Sequence, residues 1–219
     1  MNRVTRLLVS LAAASACAAT SLCAVAAKPA PVFKTSFDCT GTRASVEKLI
    51  CRDSQLAQMD LELQRLYLLA LTDDHSQPPP RKVETDQLFW IDARNQCGSG
   101  PEPKVCTLQR YAERAYQLRK GSAIARTRDP SRLTDGPAAF RCAGLNSPIE
   151  ATYFHVQPGI VFLKWANTSA SLSQVPTGSG NLYTSKDARA NYRFWQDGND
   201  ATFQMPGSGQ LSCTGEPAI

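Results

Sequence analysis

Residues 179–198, SGNLYTSKDARANYRFWQDG, bring hydroxyl, basic, acidic and aromatic side chains into one short stretch. Ser179 offers a hydroxyl that both donates and accepts hydrogen bonds. Lys186 and Arg189 put cations in the tip TSKDARAN, and Asp197 stands near the end. Tyr183, Tyr192, Phe194 and Trp195 lie between them. A hydroxyl beside a cation is suited to holding carboxyl groups on a partner. The hydroxyl donates to a carboxylate or accepts from a carboxylic acid, and the cation pairs with the ionised form, more strongly where water is excluded. Each residue also has a plain structural role. Ser179-Gly180 makes a turn, the four aromatic residues pack core and edge, and Lys186 and Arg189 form a solvated tip.

Other chemistries find little to use. The chain has no Gly-x-Ser-x-Gly, no phosphate-binding loop and no His-Glu-x-x-His. Its two histidines, His75 and His155, are isolated, and the cysteine spacings do not match zinc knuckles. No metal or cofactor is expected. A formal charge of +5, with no basic stripe in either half, argues against nucleic acid as a partner.

The amino terminus reads as an export signal over residues 1–27. Arg3 and Arg6 precede an apolar, Ala-rich run, and small residues near Ala24 to Ala27 offer a cleavage site. No later stretch is apolar enough to span a membrane. A periplasmic or secreted protein is expected. The alternative is lipid attachment at Cys17, because Ala14-Ser15-Ala16-Cys17 loosely fits a lipoprotein cleavage site. Cys39, Cys51, Cys97, Cys106, Cys142 and Cys213 remain in the mature chain. An even number in an exported protein implies three disulfides. Cys97 and Cys106 flank one turn and could pair, leaving Cys39 with Cys51, but sequence does not fix the connectivity. A Cys142–Cys213 bond would tie the ends of the second half together.

The residues in the opening segment must be held by something, and the hydrophobic period changes midway along the chain. From Ala44 to Leu71 apolar residues recur at three- and four-residue steps, as on one face of a helix. Pro78-Pro79-Pro80 ends that run. Further helices fit Lys82–Asn95 and Lys104–Arg119, so residues 36–121 form a disulfide-held three-helix bundle. Residues 122–137 are polar, contain Gly and Pro, and read as a linker. From about residue 138 to 215 eight short strands alternate with turns, which suggests a small antiparallel barrel or sandwich. The fold class is α+β in two domains.

The second half resembles the MliC/PliC family of c-type lysozyme inhibitors. The resemblance rests, in order, on Phe140-Arg141-Cys142, Ser171 to Val175, Ser179-Gly180-Asn181-Leu182-Tyr183, Phe194 to Ala201, and Cys213. It implies an eight-stranded antiparallel β-barrel that binds c-type lysozyme. The resemblance implies contacts from Ser179 and from the position of Asp197; Gly180, Tyr183 and the tip cations Lys186 and Arg189 are the further candidate contacts in the same hairpin. The family has Lys where this chain has Asp197, so an anion replaces the cation expected to face the enzyme. Lys186 or Arg189 could take the cationic role, or Asp197 could pair with Arg193 or Arg189 and only hold the hairpin. The first half resembles the LprI-like domain, through Cys39, Glu47, Cys51, Asp60, Tyr67, Trp90, Arg94, Cys97, Cys106 and Tyr111. Trp90 and Arg94 are expected to pack on one helix face, with an ion pair to Asp60 or Glu47. The implied function is lysozyme inhibition, without enzymatic activity. The alternative is an envelope adaptor that contacts peptidoglycan or another envelope protein.

Overall fold

The computed structural model describes residues 30–42, 44–127, 130–185 and 190–217. The expected export signal over residues 1–27, with Cys17, and the tip residues Lys186 and Arg189 lie outside the described residues.

Five helices precede a closed barrel: α1 (Ser45–Arg52), α2 (Ser54–Leu71), α3 (Pro80–Gln96), α4 (Pro103–Gly121) and the short α5 (Ala123–Thr127). The run expected as one helix from Ala44 to Leu71 is two. Asp53 breaks it, adopting an extended conformation and accepting hydrogen bonds from the backbone N–H groups of Gln55 and Leu56. An acidic residue there satisfies two donors that a helix start otherwise leaves open. Pro80 and Pro103 begin α3 and α4, where a missing N–H costs nothing. Cys39–Cys51 and Cys97–Cys106 are bonded. The first ties the segment before α1 to its last turn, and the second closes the loop between α3 and α4.

The strands are β1 (Thr134–Cys142), β2 (Ile149–Phe154), β3 (Ile160–Trp165), β4 (Thr168–Val175), β5 (Asn181–Thr184), β6 (Arg193–Asp197), β7 (Asp200–Gln204) and β8 (Gln210–Gly215). They pair in sequence order and antiparallel throughout, and β1 closes on β8. This settles barrel over sandwich. Cys142 and Cys213 are direct partners across the closing pair and are bonded. The stretch read as linker carries α5 and the first residues of β1, which begins before the expected strand.

The helices and the barrel form one compact unit from Pro31 to Ile219. The reason lies in β2 and β3. Ile149, Ala151, Tyr153, Val161, Leu163 and Trp165 point into the barrel. Phe154, Ile160 and Phe162 point the other way and join the core of the helices. A strand buried on both faces must be covered by another layer, and α4 supplies it. Tyr116 of α4 packs its ring 5.2 Å from that of Phe162 and donates to Glu150 at 2.5 Å. Lys120 pairs with the same carboxylate. Arg119 donates to the Gly136 carbonyl at 2.7 Å and to the Thr134 hydroxyl at 3.0 Å, and Thr134 donates to buried Glu62 of α2 at 2.5 Å.

Candidate functional site

The helices cover the outer faces of β1 to β4, and the candidate site lies away from them. Turns alternate between the two ends of an antiparallel barrel. The β4–β5 turn and the β6–β7 turn therefore share one end, because Asn181 pairs with Gln196 and places Gly180 beside Asp197. Ser179, Gly180 and Asp197 are brought together. All three are exposed.

Trp195 explains why the Ser-Gly turn and the Phe-Trp pair occur together. Along β6, Phe194 points inward and is fully buried, so Arg193, Trp195 and Asp197 point outward. The Trp195 indole lies against the turn and donates its N–H to the Ser179 carbonyl at 3.1 Å. Gly180 has φ +61°, and a Cβ there would stand 2.5 Å from the Gln196 carbonyl oxygen and 3.0 Å from the Trp195 Nε1. Only glycine meets both the backbone angle and the close approach. The Thr177 hydroxyl also donates to the Ser179 carbonyl, at 3.2 Å. The Ser179 backbone is thus held while its hydroxyl makes no hydrogen bond to any described residue.

The outer faces of β5 to β8 form a concavity of about 470 Å³ beside this turn, lined by Thr177, Leu182, Arg193, Trp195, Thr202, Gln204 and Gln210. Arg193 stands in the same outward row as Trp195 and Asp197. Among the described residues neither Arg193 nor Asp197 makes an ion pair, so Arg193 does not neutralise Asp197. From the sequence, Arg193 is expected only as such a partner. Alternation along β6 could have placed it on the exposed row.

Other expected contacts fall elsewhere. Tyr183 is inside the barrel at 5% exposure, its ring 6.0 Å from that of Tyr153. Burial pushes its hydroxyl up to about 12. A partner on the outer surface does not reach it: one residue along a strand reverses the face. Ser185 and Ala190, which flank the tip cations, belong to the opposite end of β5 and β6 from Ser179.

In the helical half, Arg94 has both expected partners. It lies 3.3 Å from Glu47 and 3.9 Å from Asp60, and its guanidinium sits over the rings of Trp90 and Phe37. Asp60 also accepts from the Tyr111 hydroxyl at 2.8 Å and the Ser36 N–H at 2.6 Å. Burial first, and then the neighbouring Asp60 carboxylate, hold the Tyr111 hydroxyl protonated well above its ordinary range. This is a satisfied buried network, and it braces the bundle.

Fold and site together define a small closed barrel, covered by helices on one flank, that presents a rigid turn at one end. Residues 140–212 match the family described as membrane-bound lysozyme-inhibitor of c-type lysozyme. The match runs from Phe140 in β1 to Ser212 in β8 and includes no helix among the described residues. That family is one of inhibitors rather than enzymes. No curated protein and no solved structure matches the chain. No helix among the described residues is long and apolar enough to cross a membrane.

Proposed function

We propose that this protein is an envelope inhibitor of c-type lysozyme that enters the enzyme's cleft with the Ser179-Gly180 turn and the Trp195 face. The observation that carries the reading is the exposed Ser179 hydroxyl on a backbone fixed by Trp195. Lysozyme cleaves between two carboxyl groups, one protonated and one ionised. A single hydroxyl can accept from the first and donate to the second. A turn already held in place loses little further freedom on binding. Arg193, outward in the same row as Trp195, is the basic group on the Ser179 side available to the ionised carboxylate; the flanks of the tip that carries Lys186 and Arg189 lie at the other end of β5 and β6. In this reading the helical half is an LprI-like domain, and the bundle braces the barrel or adds a second contact. The protein acts outside the cytoplasm, periplasmic or secreted, or anchored through Cys17.

Asp197 supports a second reading, an adaptor that binds peptidoglycan or an envelope protein and keeps the barrel as scaffold. Clearing of a cell-wall suspension by c-, g- and i-type lysozymes, with and without the chain from Lys28 to Ile219, separates the two. Inhibition of the c-type enzyme is expected. The double variant Ser179→Ala, Arg193→Gln should weaken it at least tenfold, about 1.4 kcal/mol. Undiminished inhibition by the folded double variant would remove the plug reading. Binding to cell-wall fragments with no inhibition of any type would favour the adaptor.

A further inference from the structure

The helical half contains a cavity of about 410 Å³ between α3 and α4. That volume lies within the range of small-molecule sites. Its apolar wall includes Val83, Phe89, Trp90 and Leu118. Phe89 is 69% exposed, an unusual state for a large aromatic side chain.

Arg114 in the same wall is only 4% exposed. Its Nε donates to the Gln87 side-chain oxygen at 3.0 Å, one terminal nitrogen to the Gln117 side-chain oxygen at 3.1 Å, and the other to the Val83 carbonyl at 3.2 Å. All three acceptors are neutral. A guanidinium has five N–H donors, so two remain beyond these bonds. Both carboxylates in the wall already have cations of their own: Asp86 pairs with Lys82 at 2.6 Å and Glu113 with Arg110 at 3.6 Å. Arg114 forms no ion pair among the described residues. A buried cation without a contacting counter-charge is costly, and an anion brought to it recovers part of that cost through charge-assisted hydrogen bonds.

The geometry points to the α3–α4 cavity as a binding site for a small carboxylate with an apolar body, the carboxylate on Arg114 and the body between Phe89, Trp90 and Val83. The site uses no residue of the barrel and stands apart from the surface proposed for lysozyme. Burial lowers the Arg114 pKa, with Asp86 acting in the opposite sense, and the group remains a cation at neutral pH.

The test is a nuclear magnetic resonance titration of the chain from Lys28 to Ile219 with phenylbutyrate, and with phenylbutyramide as its uncharged counterpart. Saturable binding of the acid is expected, with shifts centred on the amides of Val83, Phe89 and Leu118. The amide should bind at least tenfold more weakly, about 1.4 kcal/mol. Arg114→Gln should bring the acid down to the level of the amide. Ala93→Trp places an indole in the cavity from α3 with Arg114 retained and should abolish binding of both, which keeps the test open if Arg114→Gln does not fold. Equal binding of acid and amide, shifts outside the cavity, binding that survives Ala93→Trp, or no saturation at tens of millimolar would each overturn the assignment.

Discussion

Replacing Gly180 with Ala tests whether the Ser179 turn is held as described. Two costs add. An L-residue at φ +61° is strained by about 1–2 kcal/mol. The new methyl also stands 2.5 Å from the Gln196 carbonyl oxygen and about as close as van der Waals contact forbids to the Trp195 indole, 3.0 Å from its nitrogen. Gln196 belongs to β6, which is paired on both sides, so its carbonyl cannot retreat alone. Forced overpacking of this kind costs about 1–3 kcal/mol. Gly198 supplies the control, with φ +58° and nothing within 4 Å of a built Cβ. Gly198→Ala should therefore cost only the backbone term. The difference between the variants, about 1–3 kcal/mol, is the price of the close approach. For a chain of this size each kcal/mol shifts the thermal midpoint by about 2–4 °C. Differential scanning fluorimetry of both proteins reads the gap directly, and Gly180→Ala should also weaken lysozyme inhibition by displacing the Ser179 hydroxyl. Equal losses in the two variants would refute the packing argument.

Arg94→Met leaves Asp60 and Glu47 without their cation inside the bundle, and breaking such a buried pair typically costs about 3–5 kcal/mol; urea unfolding should show a loss of that order, against less than about 1 kcal/mol for the exposed Lys82→Met. Burial acts to raise the Glu150 pKa, but its bonds to Lys120 and Tyr116 outweigh this and hold the carboxyl below its ordinary value. A depressed folded-state value stabilises above the unfolded pKa of about 4.3 and fades as pH falls through the folded one. Glu150→Gln should thus lower the thermal midpoint at pH 7 and converge with the parent in acid. The fragment 122–219 should not fold alone, because it exposes Phe154, Val156, Ile160 and Phe162, which the helices bury. At about 1.5–3 kcal/mol each, these rival the whole stability of a typical domain, about 5–15 kcal/mol. A well-dispersed amide spectrum from that fragment would contradict this.

The barrel was legible because its signals are local. Turn residues such as Pro158-Gly159 and Asp197-Gly198 fall at each reversal, and Phe140 to Cys213 carry a family order. The break at Asp53 was missed because the apolar stripe continues across it: Ile50 and Leu56 both enter the core, although the helix axis changes. A cap is a property of one residue, and periodicity averages over many. The shared core was missed for another reason. IVFLKW, residues 160–165, is nearly unbroken in apolar character, whereas a strand with one wet face alternates. That run was a sign of cover on both sides, but nothing in the residues named the covering element. Tyr116 and Arg119 carry no signal of their own in the sequence, and only contact with Glu150, Gly136 and Thr134 shows them to be the joint. At the site, Ser179 and Asp197 were legible as neighbours through the hairpin. Tyr183 could be read from sequence either as packing or as a contact, since the strand's inward parity depends on where β5 begins; the structure buries it.

The row Arg193, Trp195, Asp197 bears on how the turn could meet an enzyme cleft. Alternate residues on one face are spaced about 7 Å apart, so Arg193 and Asp197 stand about 13 Å from each other with the indole between. A partner with two cleft carboxyls, centred on Ser179, would have Asp197 near one of them and Arg193 farther away. Two carboxyl groups in one water-poor site cannot both remain ionised without cost, and one takes up a proton. Inhibition by the parent protein should accordingly strengthen as the pH is lowered from 7 to 5. Asp197→Asn removes the repulsion, so it should tighten inhibition at pH 7 and flatten the profile. Asp197→Lys should tighten it further by supplying a cation. Inhibition constants measured across that range with the c-type enzyme decide the matter. Parallel profiles for the parent and Asp197→Asn would mean that Asp197 does not face the cleft, and that the turn meets its partner from the Arg193 side of the barrel instead.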